Sequence, residues 1–130
     1  MNTFVVDSLV ESVMNECESI IAETENVEDS VNDNDMLEVI QFSDIRLVAE
    51  ELQSFVVHMS ENEFISNSML EQLDDISITL YQNVKYILEH CEIEIFSTTD
   101  TEIMKSFDNM RTYVNNVRET VSTFVSESKI

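Results

Sequence analysis

Four side chains in this sequence belong to the types that bind zinc or act as nucleophiles: Cys17, His58, His90 and Cys91. A structural zinc site needs four such ligands at short, recognisable spacings, and no pair here has one. His90 and Cys91 are neighbours, but successive residues of a helix point about 100° apart, so the two cannot share an ion easily. We therefore predict no metal site.

Carboxylates are the other abundant reactive groups, and in helical bundles they build di-iron sites. Such a site takes Glu-x-x-His from each of two helices, yet neither His58 nor His90 has Glu three residues before it. Nucleophilic catalysis would need Ser or Cys beside a base with an oxyanion hole, which two isolated histidines do not provide. The absence of glycine removes the P-loop, the dinucleotide fingerprint and the nucleophile elbow. We predict no enzymatic activity and no cofactor.

The cysteines and the N-terminal residues indicate a cellular compartment. Cys17 and Cys91 lie far apart, each on an apolar helical stripe, which favours buried free thiols over a disulfide. The N-terminal residues MNTFVVDSLVE lack the basic start of a signal peptide, and no apolar run approaches the roughly 18 residues of a membrane span. We expect a soluble, cytoplasmic protein.

The composition predicts a single helical domain over residues 1–130. The chain has no glycine and no proline, the residues that tight turns of sheet-rich folds most often use. Its hydrophobic content of 43% is enough for a core, so disorder is not expected. An all-helical chain with short polar connections satisfies both observations.

The first predicted helix spans residues 4–31. Its apolar positions recur at alternating spacings of three and four residues, which is typical of a helix packed along a partner: Val6, Val10, Val13, Cys17, Ile20, Thr24, Val27 and Val31. An alternative ends this helix near Glu23 and leaves residues 24–34 as an acidic linker, because Asp, Asn and Ser are mediocre helix formers.

Three more helices follow, over residues 35–59, 67–92 and 100–127. We expect the second to begin at Asp35 with a kink near Phe42. Capping boxes at Ser60 with Glu63, Ser68 with Glu71, and Thr99 with Glu102 mark further helix starts. Short connections between four such helices predict an antiparallel four-helix bundle.

The last helix carries the most regular apolar seam, at Ile103, Phe107, Met110, Val114, Val117, Val121 and Phe124. Such a seam either packs inside the bundle or pairs with its copy in a second chain. We favour the intramolecular core, with a homodimer through the C-terminal helix as the alternative.

Acidity is concentrated in the N-terminal two thirds of the chain. The net charge is −21, of which residues 1–44 carry −12 with no Lys or Arg, residues 45–96 carry −8 and residues 97–130 carry −1. Nucleic-acid and membrane binding both depend on basic residues that neutralise phosphate, so neither is expected. A basic protein surface is the expected partner.

The candidate binding residues form rows on the first helix. Glu11, Glu18 and Glu25 recur every seven residues, Glu16 and Glu23 flank them, and further acids are expected to point outward. The predicted partner-binding set is Glu11, Glu16, Glu18, Glu23, Glu25, Glu28 and Asp29.

These rows lead to two hypotheses of function. The first is a non-enzymatic module that engages and blocks a basic, nucleic-acid-binding surface of a partner, as an inhibitor or nucleic-acid mimic does. The alternative is a structural subunit of a complex that assembles through apolar helix faces. In either case the composition is typical of the small accessory proteins that viruses encode.

Overall fold

Four α-helices make up the computed structural model, which describes residues 3–31, 36–94 and 101–128. Side chains are described over residues 5–29, 42–89 and 103–128. The helices are α1 (Thr3–Val31), α2 (Met36–Ser60), α3 (Asn67–Glu94) and α4 (Thr101–Ser128). Every boundary lies within two residues of the prediction, and the all-α class is confirmed.

The helices form an antiparallel ring. Gln53 of α2 bonds to Glu18 of α1, and Arg46 of α2 bonds to Glu28 of α1, so the two helices run antiparallel. Each helix contacts its two neighbours, α4 closes the ring against α1, and in their described parts the backbones of diagonal helices stay apart. This is an up-down-up-down bundle, as expected for short connections.

One core runs through the ring, built from the apolar stripe of each helix. Val13, Cys17 and Ile20 of α1 have no exposed surface. The rings of Phe42 and Phe107, on diagonal helices, meet with centroids 6.5 Å apart. The alternating spacing of three and four residues keeps one face of every helix on this axis.

The first helix does run to Val31, so the acidic-linker alternative is wrong for residues 24–31. Val27 is fully buried, and its packing offsets the poor helix propensity of the surrounding Asp, Asn and Ser. Residues 32–35, which include Asp35, lie outside the described residues, as does Thr99. The side chain of Val31 is also outside them.

One detail of the predicted helix starts differs in the structure. The helix α2 continues through Phe42, which is buried in the core, and a kink there stays a prediction. Ser66, not Ser68, caps α3, because its Oγ accepts the backbone N–H of Met69 at 3.1 Å. Ser68 already lies inside the first turn, where its Oγ accepts from the side-chain Nε2 of Gln72 at 3.4 Å.

The seam of α4 lies inside this bundle. All seven of its residues are buried against the chain's own helices. The intramolecular alternative is therefore confirmed for these residues, and a homodimer that uses the remaining surface of α4 stays a prediction.

Candidate functional site

An exposed row of carboxylates follows the outer side of α1. Its members are Asp7, Glu11, Glu18, Glu25 and Asp29. They are separated by four, seven, seven and four residues, which keeps them on one side of the helix over about 33 Å. Asp7 was not among the predicted residues, although its spacing from Glu11 places it on the same row.

The neighbouring helix extends this row. Gln53 donates from Nε2 to Oε2 of Glu18 at 3.3 Å and to the carbonyl of Met14 at 3.2 Å, so Gln53 lies at the edge of α2 that faces α1. The exposed Glu50 lies one turn from both Gln53 and Arg46 and therefore shares that edge. We call the six carboxylates the acidic face: Asp7, Glu11, Glu18, Glu25, Asp29 and Glu50.

Glu28 does not belong to this surface, contrary to the expectation that it points outward. The Arg46 guanidinium of α2 reaches across to Glu28 and also donates to Thr24 Oγ1 at 3.3 Å and Ser43 Oγ at 3.0 Å. Thr24 is fully buried, so this cluster is part of the α1–α2 packing. Sequence spacing placed Glu28 near the surface but could not indicate a cation from another helix.

The remaining two predicted residues lie on the opposite side of α1, toward α4. Glu23 accepts from Asn109 Nδ2 at 3.0 Å and from Asn26 Nδ2 at 3.1 Å. Glu16 is half-buried, and its Oε2 is enclosed without a hydrogen bond from any described residue. An enclosed carboxylate oxygen without a donor costs about 1–3 kcal/mol, so Glu16 is held beside the α1–α4 contact without a compensating hydrogen bond to Oε2 from the described residues.

A groove of about 580 Å³ runs along the α1–α4 contact beside Glu16. It lies between the N-terminal half of α1 and the C-terminal half of α4. Leu9 and Phe124 form its floor, and Val5, which is 42% exposed, lies at one end. Its carboxylates are Glu16, Glu119 and Glu127, and the rest of its lining is Ser8, Ser12, Asn116, Thr120 and Thr123. No cation lines it.

The far side of the bundle is more nearly balanced. Arg118 of α4 donates to Asp74 Oδ1 at 2.7 Å and to the buried Ser77 Oγ at 3.2 Å. Arg111 pairs with Asp108 one turn away, at 2.8 Å. The exposed lysines of the described residues, Lys85 and Lys105, also lie on α3 and α4. The field of the molecule is therefore most negative on the α1–α2 side.

The reactive groups are not brought together in the described residues. Cys17 is a buried free thiol, and burial, with smaller contributions from Glu16 and Glu18, raises its pKa to about 12. His58 is exposed on α2, while the side chains of His90 and Cys91 lie outside the description. Over the described ranges, no three His, Cys, Asp or Glu side chains are grouped to hold a metal ion.

Comparison of the chain with protein-family models, curated proteins and solved structures finds no match. Within residues 3–31, 36–94 and 101–128, every helix is too short or too polar to cross a membrane.

Proposed function

We propose that the protein is a non-enzymatic binding module whose acidic face engages a basic surface of a partner protein and blocks it. The observation that carries the proposal is the position of Arg46. It is the only arginine or lysine in the first 60 residues. Because its guanidinium is bound to Glu28, Thr24 and Ser43, it does not neutralise the acidic face.

The arrangement of charge supports recognition of a basic protein. Opposite potentials accelerate association and make it sensitive to salt, and six exposed carboxylates without a neighbouring free cation on α1 or α2 supply such a potential. Cytoplasmic location and the viral origin that the composition indicates stay predictions.

Nucleic-acid mimicry is the stricter form of this proposal. The row on α1 has one carboxylate per roughly 8 Å, whereas duplex DNA has one charge per roughly 1.7 Å of its axis. A mimic would therefore need the carboxylates of α2 as well, Glu50 among them. We expect a partner that recognises net potential rather than the exact phosphate spacing.

Affinity capture with charge-reversed baits tests the proposal. One bait carries Glu11→Lys, Glu18→Lys and Glu25→Lys, and the matched control carries Glu71→Lys, Asp75→Lys and Glu89→Lys on the exposed side of α3. Both change the net charge equally. We expect the unaltered and control baits to capture a basic protein that the α1 bait does not capture. Salt or nucleic acid should displace this protein from the unaltered bait.

Two results would overturn the proposal. Capture that is equally strong with both variants would show that the acidic face is not the binding surface. Capture of the protein's own copies alone would favour the structural-subunit alternative. That alternative has less support, because the apolar stripes of the helices are already used in the core, and the exposed large apolar residues described are few: Val5, Leu47, Val57, Phe64 and Tyr86.

A further inference from the structure

The groove between α1 and α4 is separate from the acidic face. Glu16 and Glu23 lie on the side of α1 that faces α4, while the acidic face adjoins α2. The floor of the groove is apolar, and its walls carry three carboxylates and no cation among the described residues. A ligand that fills it must therefore combine positive charge with an apolar stem.

The register of the two helices gives the spacing of these carboxylates. Asn109 bonds to Glu23, and in an antiparallel pair seven residues back along α1 correspond to seven forward along α4, so Glu16 lies level with Asn116. Both residues line the groove, as this register requires. Glu119 is three residues beyond Asn116, so it lies about one helical turn from Glu16 along the bundle axis. Glu127 lies about 12 Å beyond Glu119 along α4.

We propose that this groove docks a basic helical segment of the partner, with one arginine held by Glu16 and Glu119 and a second basic side chain held by Glu127. The proposal rests on the proposed function only in taking the partner to be a basic protein. A guanidinium provides donors for the Glu16 carboxylate that lines the groove, and its aliphatic stem packs on Leu9 and Phe124.

The carboxylate spacing defines the helix that fits. Residues seven apart on a helix lie on the same side and are separated by about 10 Å, which matches the interval from the Glu16–Glu119 pair to Glu127. Residues five apart point about 140° away from each other, so only one of them could enter the groove. The spacing of the arginines in a helical peptide therefore distinguishes docking in the groove from simple attraction to the net charge.

The probe is a labelled helical peptide of about 14 residues with two arginines seven positions apart, and its control is an isomer with the arginines five apart. Binding to the full chain is measured by fluorescence anisotropy. We expect the first peptide to bind about tenfold more tightly than the isomer. Equal affinities would mean that charge alone attracts both peptides, and would overturn the inference.

Variants that obstruct the groove provide the second arm. Thr123→Trp fills it from α4 and Ser8→Trp from α1, and both positions are exposed, so the fold tolerates them. Thr112→Trp is the matched control, on the same helix as Thr123 but outside the groove. We expect each groove variant to weaken the first peptide about tenfold and the control less than about twofold.

The two proposals fail separately in this design. If Thr123→Trp and Ser8→Trp leave the peptide affinity unchanged, the groove is not the docking site, even where reversal of Glu11, Glu18 and Glu25 abolishes partner capture. If the groove variants abolish peptide binding while those reversals leave capture intact, the groove inference holds and the acidic-face proposal falls. Replacement of Glu119 and Glu127 by Gln must weaken the first peptide selectively if the carboxylates bind its arginines.

Discussion

Individual acidic side chains of α1 have different roles although they look alike in the sequence. Glu28 is bound by Arg46, Glu23 is bound by Asn109, and Glu18 is bound by Gln53 while it remains exposed. Contacts of this partly exposed kind contribute modestly, about 1 kcal/mol or less each. The burial of the apolar stripe of α1, and not these contacts, decides which carboxylates face outward.

Cys17 leads to a prediction at the scale of one residue. At pH 8 in a Cys91→Ser variant, the native thiol should react with a disulfide reagent far more slowly than the unfolded thiol. The pKa is 9.0 in the reference state and about 12 in the folded protein, which lowers the thiolate fraction about 1000-fold. The rate of thiol release followed by absorbance measures this directly.

The same pKa shift predicts the sign of a pH effect. The folded state keeps the thiol protonated, so the contribution of Cys17 to stability is complete below pH 9 and falls as the pH rises from 9 toward about 12. A Cys17→Ala variant in the same background removes this dependence. Rapid labelling of native Cys17, at the unfolded rate, would contradict its burial.

At the scale of elements, α1 is the helix whose length was in doubt. Its last two turns contain poor helix formers, and the packing of Val27 keeps them helical. Tertiary contact thus decides a boundary that local propensity leaves open.

Val27→Ala tests this account of the helix end. We expect the free energy of unfolding to fall by about 1–2 kcal/mol, since a fully buried side chain loses two methyl groups. Val57→Ala on α2, where the side chain is 37% exposed, is the control and should cost less than about 0.5 kcal/mol. Urea unfolding followed by circular dichroism measures both. Equal small losses would indicate that the last turns of α1 do not depend on the core.

The four helices and the buried residues Val13, Cys17 and Ile20 could be predicted from the sequence alone. Apolar spacing predicts all four helices because one face of each must be buried, and the same spacing assigns Val13, Cys17 and Ile20 to the core. The outward positions of Glu11, Glu18 and Glu25 follow from the same period. Period alone does not give the register between helices, so neither the Arg46–Glu28 pair nor the Glu16 groove could be predicted.

At the scale of the whole molecule, charge opposes compaction. A net charge of −21 on 130 residues repels itself most strongly on the α1–α2 side, where Arg46 is the one arginine or lysine and is turned inward. Lysines and arginines of α3 and α4 reduce the repulsion on the other side.

Salt should therefore stabilise the fold. We expect the Tm to rise by roughly 3–6 °C between about 10 and 150 mM NaCl, because the screening length shortens from about 30 to 8 Å and the repulsion weakens. Thermal unfolding followed by circular dichroism measures the shift. A variant with Glu11→Gln, Glu18→Gln and Glu25→Gln should show a smaller rise. A Tm that falls with salt would indicate that ion pairs such as Arg118–Asp74 outweigh the repulsion.

The closure of the ring by α4 against α1 has a consequence for synthesis. A ribosome adds roughly 5–20 residues per second, so α4 emerges several seconds after α1. Throughout that interval the side of α1 that packs on α4 has no partner, and nascent chains on one messenger lie close together. The carboxylates of α1 emerge before α4 and repel their copies, so we expect them to protect unfinished chains from aggregation before any binding partner is met.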